Sequence, residues 1–130
     1  MLSPQDESLL AQAREIIALR RKPDWHEVGC ALRTRSGRVF SAVHLEATVG
    51  RIAVCAEAVA LGMGAAAGDT DVHTIVAVDR AGDVVAPCGM CRELISDYAP
   101  GALVVVPGPA GPDLVSVARL LPNKYTRRGA

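Results

Sequence analysis

Three cysteines and one glutamate carry the chemistry that this sequence can offer. Cys55 and Glu57 stand in Cys55-Ala56-Glu57, and Cys88 and Cys91 in Pro87-Cys88-Gly89-Met90-Cys91. Three thiolates can hold a tetrahedral zinc and leave its fourth position open to water, as a catalytic zinc requires. Zinc can bring the pKa of such a water to about 7. Glu57, two residues after the first sulfur, is placed to take the water's proton and pass it on. Ionised water beside a carboxylate is the minimum equipment for hydrolytic attack on a C–N bond. A Cys-x-x-Cys alone is a weak signal, because it serves a structural zinc knuckle or a redox pair equally well. A Cys-Ala-Glu group 33 positions before a Pro-Cys-x-x-Cys group is much sharper.

Such chemistry needs rigid elements to present it. Both groups open predicted helices. One, rich in Ala and Leu, runs from Val54 to Ala67 and is closed by Gly68; the other runs from Gly89 to Tyr98. The partial positive charge of a helix N-terminus is expected to lower the thiol pKa of Cys55, Cys88 and Cys91. Gly62 and Gly64 weaken the first of these helices or allow close packing against a neighbour. An earlier helix starts at Ser3-Pro4-Gln5-Asp6, repeats Leu9, Leu10, Ala13, Ile16 and Ile17 at helical spacing, and stops at Pro23. Val28–Thr34 and Arg38–Glu46 read as strands around a Ser36-Gly37 turn. Val72–Val78 and Leu103–Val106 read as further strands, residues 80–87 as a loop, and Asp113–Leu121 as a last short helix. The order predicts one mixed sheet with helices on both faces, in a single domain over residues 1–130. Cys30, mid-strand, reads as a small buried apolar residue rather than a fourth ligand. His26 and His73 read as structural or surface residues.

Length and composition bound the rest. A chain of 130 residues, half of them hydrophobic and 22% charged, suits one domain and excludes a disordered chain. Fourteen basic residues balance fourteen acidic ones. That neutrality disfavours nucleic acid and anionic membrane as partners. The four aromatics, Trp25, Phe40, Tyr98 and Tyr125, leave few platforms for stacking on single-stranded bases. The first ten residues lack a basic start and an apolar run, and no stretch is long enough to span a membrane. The expected location is the cytoplasm, where the four cysteines are thiols or metal ligands rather than disulfides.

Cys-Ala-Glu followed by Pro-Cys-x-x-Cys is the three-cysteine form of the zinc-dependent base-deaminase signature. From about Val28 to Tyr125 the chain resembles the small cytidine deaminases and their relative blasticidin-S deaminase. Phe40-Ser41-Ala42-Val43-His44-Leu45-Glu46 resembles the family's Phe-x-Gly-x-Asn-x-Glu stretch, and Leu120-Leu121-Pro122-Asn123-Lys124-Tyr125 its C-terminal Leu-Leu-Pro-x-x-Phe. The resemblance implies a three-layer α/β/α sandwich and one zinc per subunit on Cys55, Cys88 and Cys91, with Glu57 catalytic. It implies that Phe40 lines the base pocket, that Ala56 is a further substrate-binding residue, that His44 and Glu46 stand at the sugar-contact positions, and that Tyr125 reaches a neighbouring subunit's pocket in a homotetramer. The implied reaction is hydrolytic deamination of cytidine, deoxycytidine or a related aminated nucleoside or heterocycle, with release of ammonia, as in pyrimidine salvage.

Three departures point to a shifted substrate, an unusual nucleoside or a free aminated heterocycle. His44 stands at the family's Asn position. Ala58 stands where many members have an Arg that offsets the net −1 of zinc with three thiolates, a role Arg92 or the helix dipoles could take over. Lys22-Pro23-Asp24-Trp25-His26 replaces the family's usual approach to the first strand. Two other classes stay open at this level. A thiol oxidoreductase on Cys88 and Cys91 predicts no metal, and a silent zinc domain for assembly predicts zinc without ammonia release.

Overall fold

A computed structural model describes residues 2–127. Helix α1 (Pro4–Arg20) begins at a capping box in which Ser3 and Asp6 satisfy each other's backbone N–H groups. Strands β1 (Val28–Thr34) and β2 (Val39–Val43) form the expected hairpin, with Gly37 at φ +92° supplying the turn. Then come α2 (Ala56–Ala66), β3 (Val72–Asp79), β4 (Val84–Val85), α3 (Gly89–Tyr98), β5 (Leu103–Val106) and β6 (Asp113–Ser116).

The sheet order is β2-β1-β3-β5-β6, with β4 paired to β3. Both β2 and β3 run antiparallel to β1, so they run parallel to each other. Helix α2 makes the crossover between them, and α3 makes the one between β3 and the parallel β5. The two helices therefore start at the same end of the sheet. This end, where the strand order switches, is where open α/β sheets build their ligand sites. Helix α1 covers the opposite face. Its Leu9, Leu10, Ala13 and Ile17 pack against Ala31 and Val76, while Cys30, Leu32 and Ile75 pack on the α2/α3 side with Ala60 and Ile95. The mixed sheet between two helical layers is the sandwich that the sequence predicts.

Three boundaries differ from expectation. Residues 113–121 are not a helix. Asp113–Ser116 pairs antiparallel with Leu103–Val106, and only Val117–Leu120 makes a 3-10 turn. The Gly108–Gly111 turn folds the chain back onto the free edge of β5, and β pairing there outweighs a short helix that lacks an apolar stripe. Within the expected 80–87 loop, Val84 and Val85 pair with Val78 and Ala77. The second strand ends at Val43, after which Leu45 exchanges two backbone hydrogen bonds with Val54. Of the two helix glycines, Gly64 is the one in close contact: a Cβ there would lie 2.5 Å from the Asp69 carbonyl.

Candidate active site

Cys55 is the N-cap of α2, Cys88 is the N-cap of α3, and Cys91 lies in the first turn of α3. Because both helices start at one end of the sheet, residues 33 positions apart in sequence meet. The Cys55 and Cys88 sulfurs are 3.7 Å apart, and all three sulfurs lie within 4.8 Å of one another. Sulfurs around a tetrahedral zinc at ~2.3 Å stand about 3.8 Å from each other, so the cluster fits that ion. The donor set is soft and thiolate-rich, as zinc prefers. Cys30 is fully buried in mid-sheet and outside the cluster, as expected.

The electrostatics bear out the expected lowering of the thiol pKa for Cys88 but not for Cys55 and Cys91. Burial pushes the Cys55 and Cys91 thiols up, and the negative charge of Glu57 adds to the effect on both. Burial also opposes ionisation of Cys88, but the Cys91 backbone N–H and the neighbouring sulfurs outweigh it, and this thiol comes down. Crowded sulfurs sharing one small volume resist multiple negative charges, and a divalent cation held among them would supply the compensation.

Glu57, in the first turn of α2, is 6% exposed. Burial pushes its carboxyl up, and its own backbone N–H offsets part of this. A carboxyl held high by an apolar setting is suited to carry and release a proton. Glu57, Cys55 and Cys88 line a cavity of about 440 Å³, within the usual range for small-molecule sites. Much of the remaining wall is apolar, including Val28, Val54, Ala56, Val85 and Met90.

His44 also lines the cavity. The Glu27 N–H donates to its Nδ1 at 2.7 Å, and the Val28 N–H approaches the same atom at 3.3 Å. Nδ1 is therefore an acceptor, and the neutral ring carries its proton on Nε2. The His26 Nδ1–H donates to the His44 carbonyl at 2.8 Å, which gives His26 a structural role behind the cavity wall. Glu46 is exposed and does not line the cavity, but its Oε2 lies 4.0 Å from His44 Nε2.

Phe40 does not line the cavity and packs elsewhere. It faces Leu32 across the hairpin, lies near Gly64 at the far end of α2, and sits 5.2 Å from the Arg38 guanidinium. Four residue steps of extended chain separate it from His44, roughly 13 Å. Tyr125 is 79% exposed and outside this chain's cavity. The Arg92 guanidinium is engaged with the carbonyls of Pro87 (2.8 Å) and Leu120 (3.1 Å), tying the Cys88 loop to the C-terminal segment. Sequence reasoning missed Arg51, which lines the cavity from the 3-10 turn Gly50–Ile52. It also missed the backbone lock on His44. Neither lies in a motif, and only the loop closed by Leu45 and Val54 brings Arg51 to the wall.

The family profile described as "Cytidine and deoxycytidylate deaminase zinc-binding region" matches residues 3–106. The chain is 46% identical over 134 residues to a blasticidin-S deaminase of Bacillus cereus, covering 97% of this chain and 96% of that protein. It is 31% identical over 102 residues to a cytidine deaminase of Halalkalibacterium halodurans, covering 77% of each. Among solved structures, the cytidine deaminase of Burkholderia pseudomallei matches with a TM-score of 0.80 at 27% identity, covering 95% of this chain and all of that one. The sulfur cluster, the buried glutamate and these similarities agree: the chain belongs to the cytidine and deoxycytidylate deaminase family, zinc-dependent aminohydrolases that cleave the C–N bond of a cyclic amidine.

Proposed function

We propose that this protein deaminates an aminated pyrimidine nucleoside, with Cys55, Cys88 and Cys91 as its zinc ligands and Glu57 as its proton carrier. The observation that carries this reading is a cluster of three sulfurs, two of which, Cys55 and Cys88, share the wall of one apolar cavity with the buried Glu57 carboxyl. When bound, zinc supplies a Lewis acid that activates water. Glu57 gives a proton to the ring nitrogen beside the amine-bearing carbon, which makes that carbon electrophilic. Water adds there, Glu57 moves one of the water's protons to the amine, the carbon–amine bond breaks, and ammonia leaves a ring carbonyl behind as the remaining hydroxyl proton returns to Glu57. Val28, Val54 and Ala56 offer the base an apolar slot. His44 Nε2–H as a donor and the nearby Glu46 carboxylate as an acceptor suit a sugar hydroxyl, which can accept and donate at once.

The 46% identity to a blasticidin-S deaminase, against 31% for a cytidine deaminase, supports a second substrate within this class, the cytosine nucleoside antibiotic blasticidin S. An assembly of copies is part of the proposal. Tyr125 is exposed, and Leu45, Val49, Ile52 and Met90 expose apolar surface on or near the cavity loops, as an interface would need. No described helix is long and apolar enough to cross a membrane. The test is ammonia release and ultraviolet change with zinc-loaded protein on cytidine, deoxycytidine, cytosine and blasticidin S. Turnover of a nucleoside above free cytosine is expected. Turnover of free cytosine alone overturns the sugar-site assignment, and no turnover of any of the four overturns the function.

A further inference from the structure

The cavity wall offers very uneven chemistry to the part of a substrate that lies beyond the reacting amine. Among the described residues that line it, Arg51 is the one fixed cation and Glu57 the one carboxylate. Arg51 forms no hydrogen bond and no ion pair with another described residue. Other cations of the chain are engaged. Arg21 and Arg80 hold Glu27, Arg33 holds Asp6, Arg35 meets Asp71, and Lys124 bridges Glu93 and Asp97. The loop that carries Arg51 is held in place. Leu45 and Val54 exchange backbone hydrogen bonds at its base, and the Ile52 and Ala53 N–H groups donate to the Val49 and Gly50 carbonyls at its tip.

The sulfur cluster that shares this cavity would be negative once loaded with metal, since three thiolates with one divalent ion sum to −1. A substrate with a negative charge of its own would be repelled from such a floor unless a cation met it on the wall. Resting on the deaminase reading above, we infer that Arg51 selects substrates whose aminated pyrimidine carries an anionic substituent, a carboxylate or a phosphate, on its sugar side. The planar guanidinium can meet either oxyanion with two parallel N–H bonds. A charge-assisted contact of this kind is worth roughly tenfold to a hundredfold in affinity.

The experiment compares kcat/KM of zinc-loaded wild type, Arg51→Gln and Arg51→Lys on three probes: neutral cytidine, cytidine 5′-monophosphate and cytidine 5′-carboxylate. Wild type is expected to favour at least one anion over cytidine, and the two anions separate phosphate from carboxylate recognition. Arg51→Gln is expected to lower the anion-to-neutral ratio about tenfold or more, and Arg51→Lys to restore part of it. Calorimetric titration of Glu57→Gln protein with the same probes, with and without Arg51→Gln, reads binding without turnover and should show the same ratio. Turnover of cytidine with an anion-to-neutral ratio that Arg51→Gln leaves in place overturns this inference alone. Equal losses on all three probes assign Arg51 to the zinc site or to subunit packing and also overturn it. No turnover of any probe by zinc-loaded protein overturns the deaminase reading, and this inference with it.

Discussion

Replacing Glu57 with glutamine separates proton transfer from metal binding and from folding. The two side chains have nearly the same shape, so the 6% exposed site should keep its packing. Glutamine is neutral, and burial already works against charge at this position, so removing the ionisable group costs the fold little. The proposed zinc ligands are the three sulfurs and not Glu57, so one zinc per chain should remain. Catalysis is another matter. Each proton transfer by a positioned group contributes typically 10²–10⁴ in rate, and Glu57 is assigned two transfers in one turnover. One group acting twice does not contribute additively, so a loss of at least about 10³ in kcat is expected, near 4 kcal/mol of barrier. The assay is ultraviolet loss on a saturating nucleoside, run beside zinc analysis by atomic emission and a thermal melt. A zinc-replete, folded Glu57→Gln protein that works within tenfold of wild type would refute the assignment.

Other outcomes follow from the same geometry. Cys91→Ala should lose stoichiometric zinc, whereas Cys30→Ala, altering a buried thiol outside the cluster, should keep one zinc per chain by the same elemental analysis. Gly29→Ala places a Cβ 2.7 Å from the Ala13 carbonyl and 2.8 Å from Ile17 Cβ, forcing α1 off the sheet. A loss of about 1–3 kcal/mol in urea denaturation is expected. Burial pushes the Asp6 carboxyl up, but hydrogen bonds from Ser3 and Arg33 outweigh it and hold it below its ordinary value of 3.8. Its contribution to stability is therefore full above the unfolded value and is lost as pH falls through the lower folded one. Melting points of wild type and Asp6→Asn should differ at neutral pH and converge in acid. Removing zinc with a chelator should lower the melting temperature, and zinc alone should restore it.

Much of the fold was legible because it depends on near neighbours. Ser3, Pro4 and Asp6 mark a helix start by their own hydrogen-bonding chemistry, and Ser36-Gly37 mark a turn by a backbone conformation that glycine reaches freely. The Asp113–Ser116 segment was misread because a four-residue stretch has no decisive period. Its state depends on whether a strand edge is free to receive it, and β5 provides one.

The same division runs through the site. Residue type and spacing, together with the family resemblance, pointed to which sulfurs could bind metal and which carboxyl could move a proton, and the local pattern indicated that both groups would open helices. Chemistry of that kind is a property of the side chain and its immediate turn. Only the tertiary structure decided that Cys55 and Cys88 stand 3.7 Å apart, because that needs β2 and β3 to flank β1 in parallel and release both helices at one end. It also decided that backbone N–H groups seventeen and sixteen positions away fix the proton of His44, that Phe40 packs beside Gly64 instead of the cavity, and that Arg51 reaches the wall. These are convergences of distant segments, set by strand register and loop closure, and no local pattern of residues encodes them.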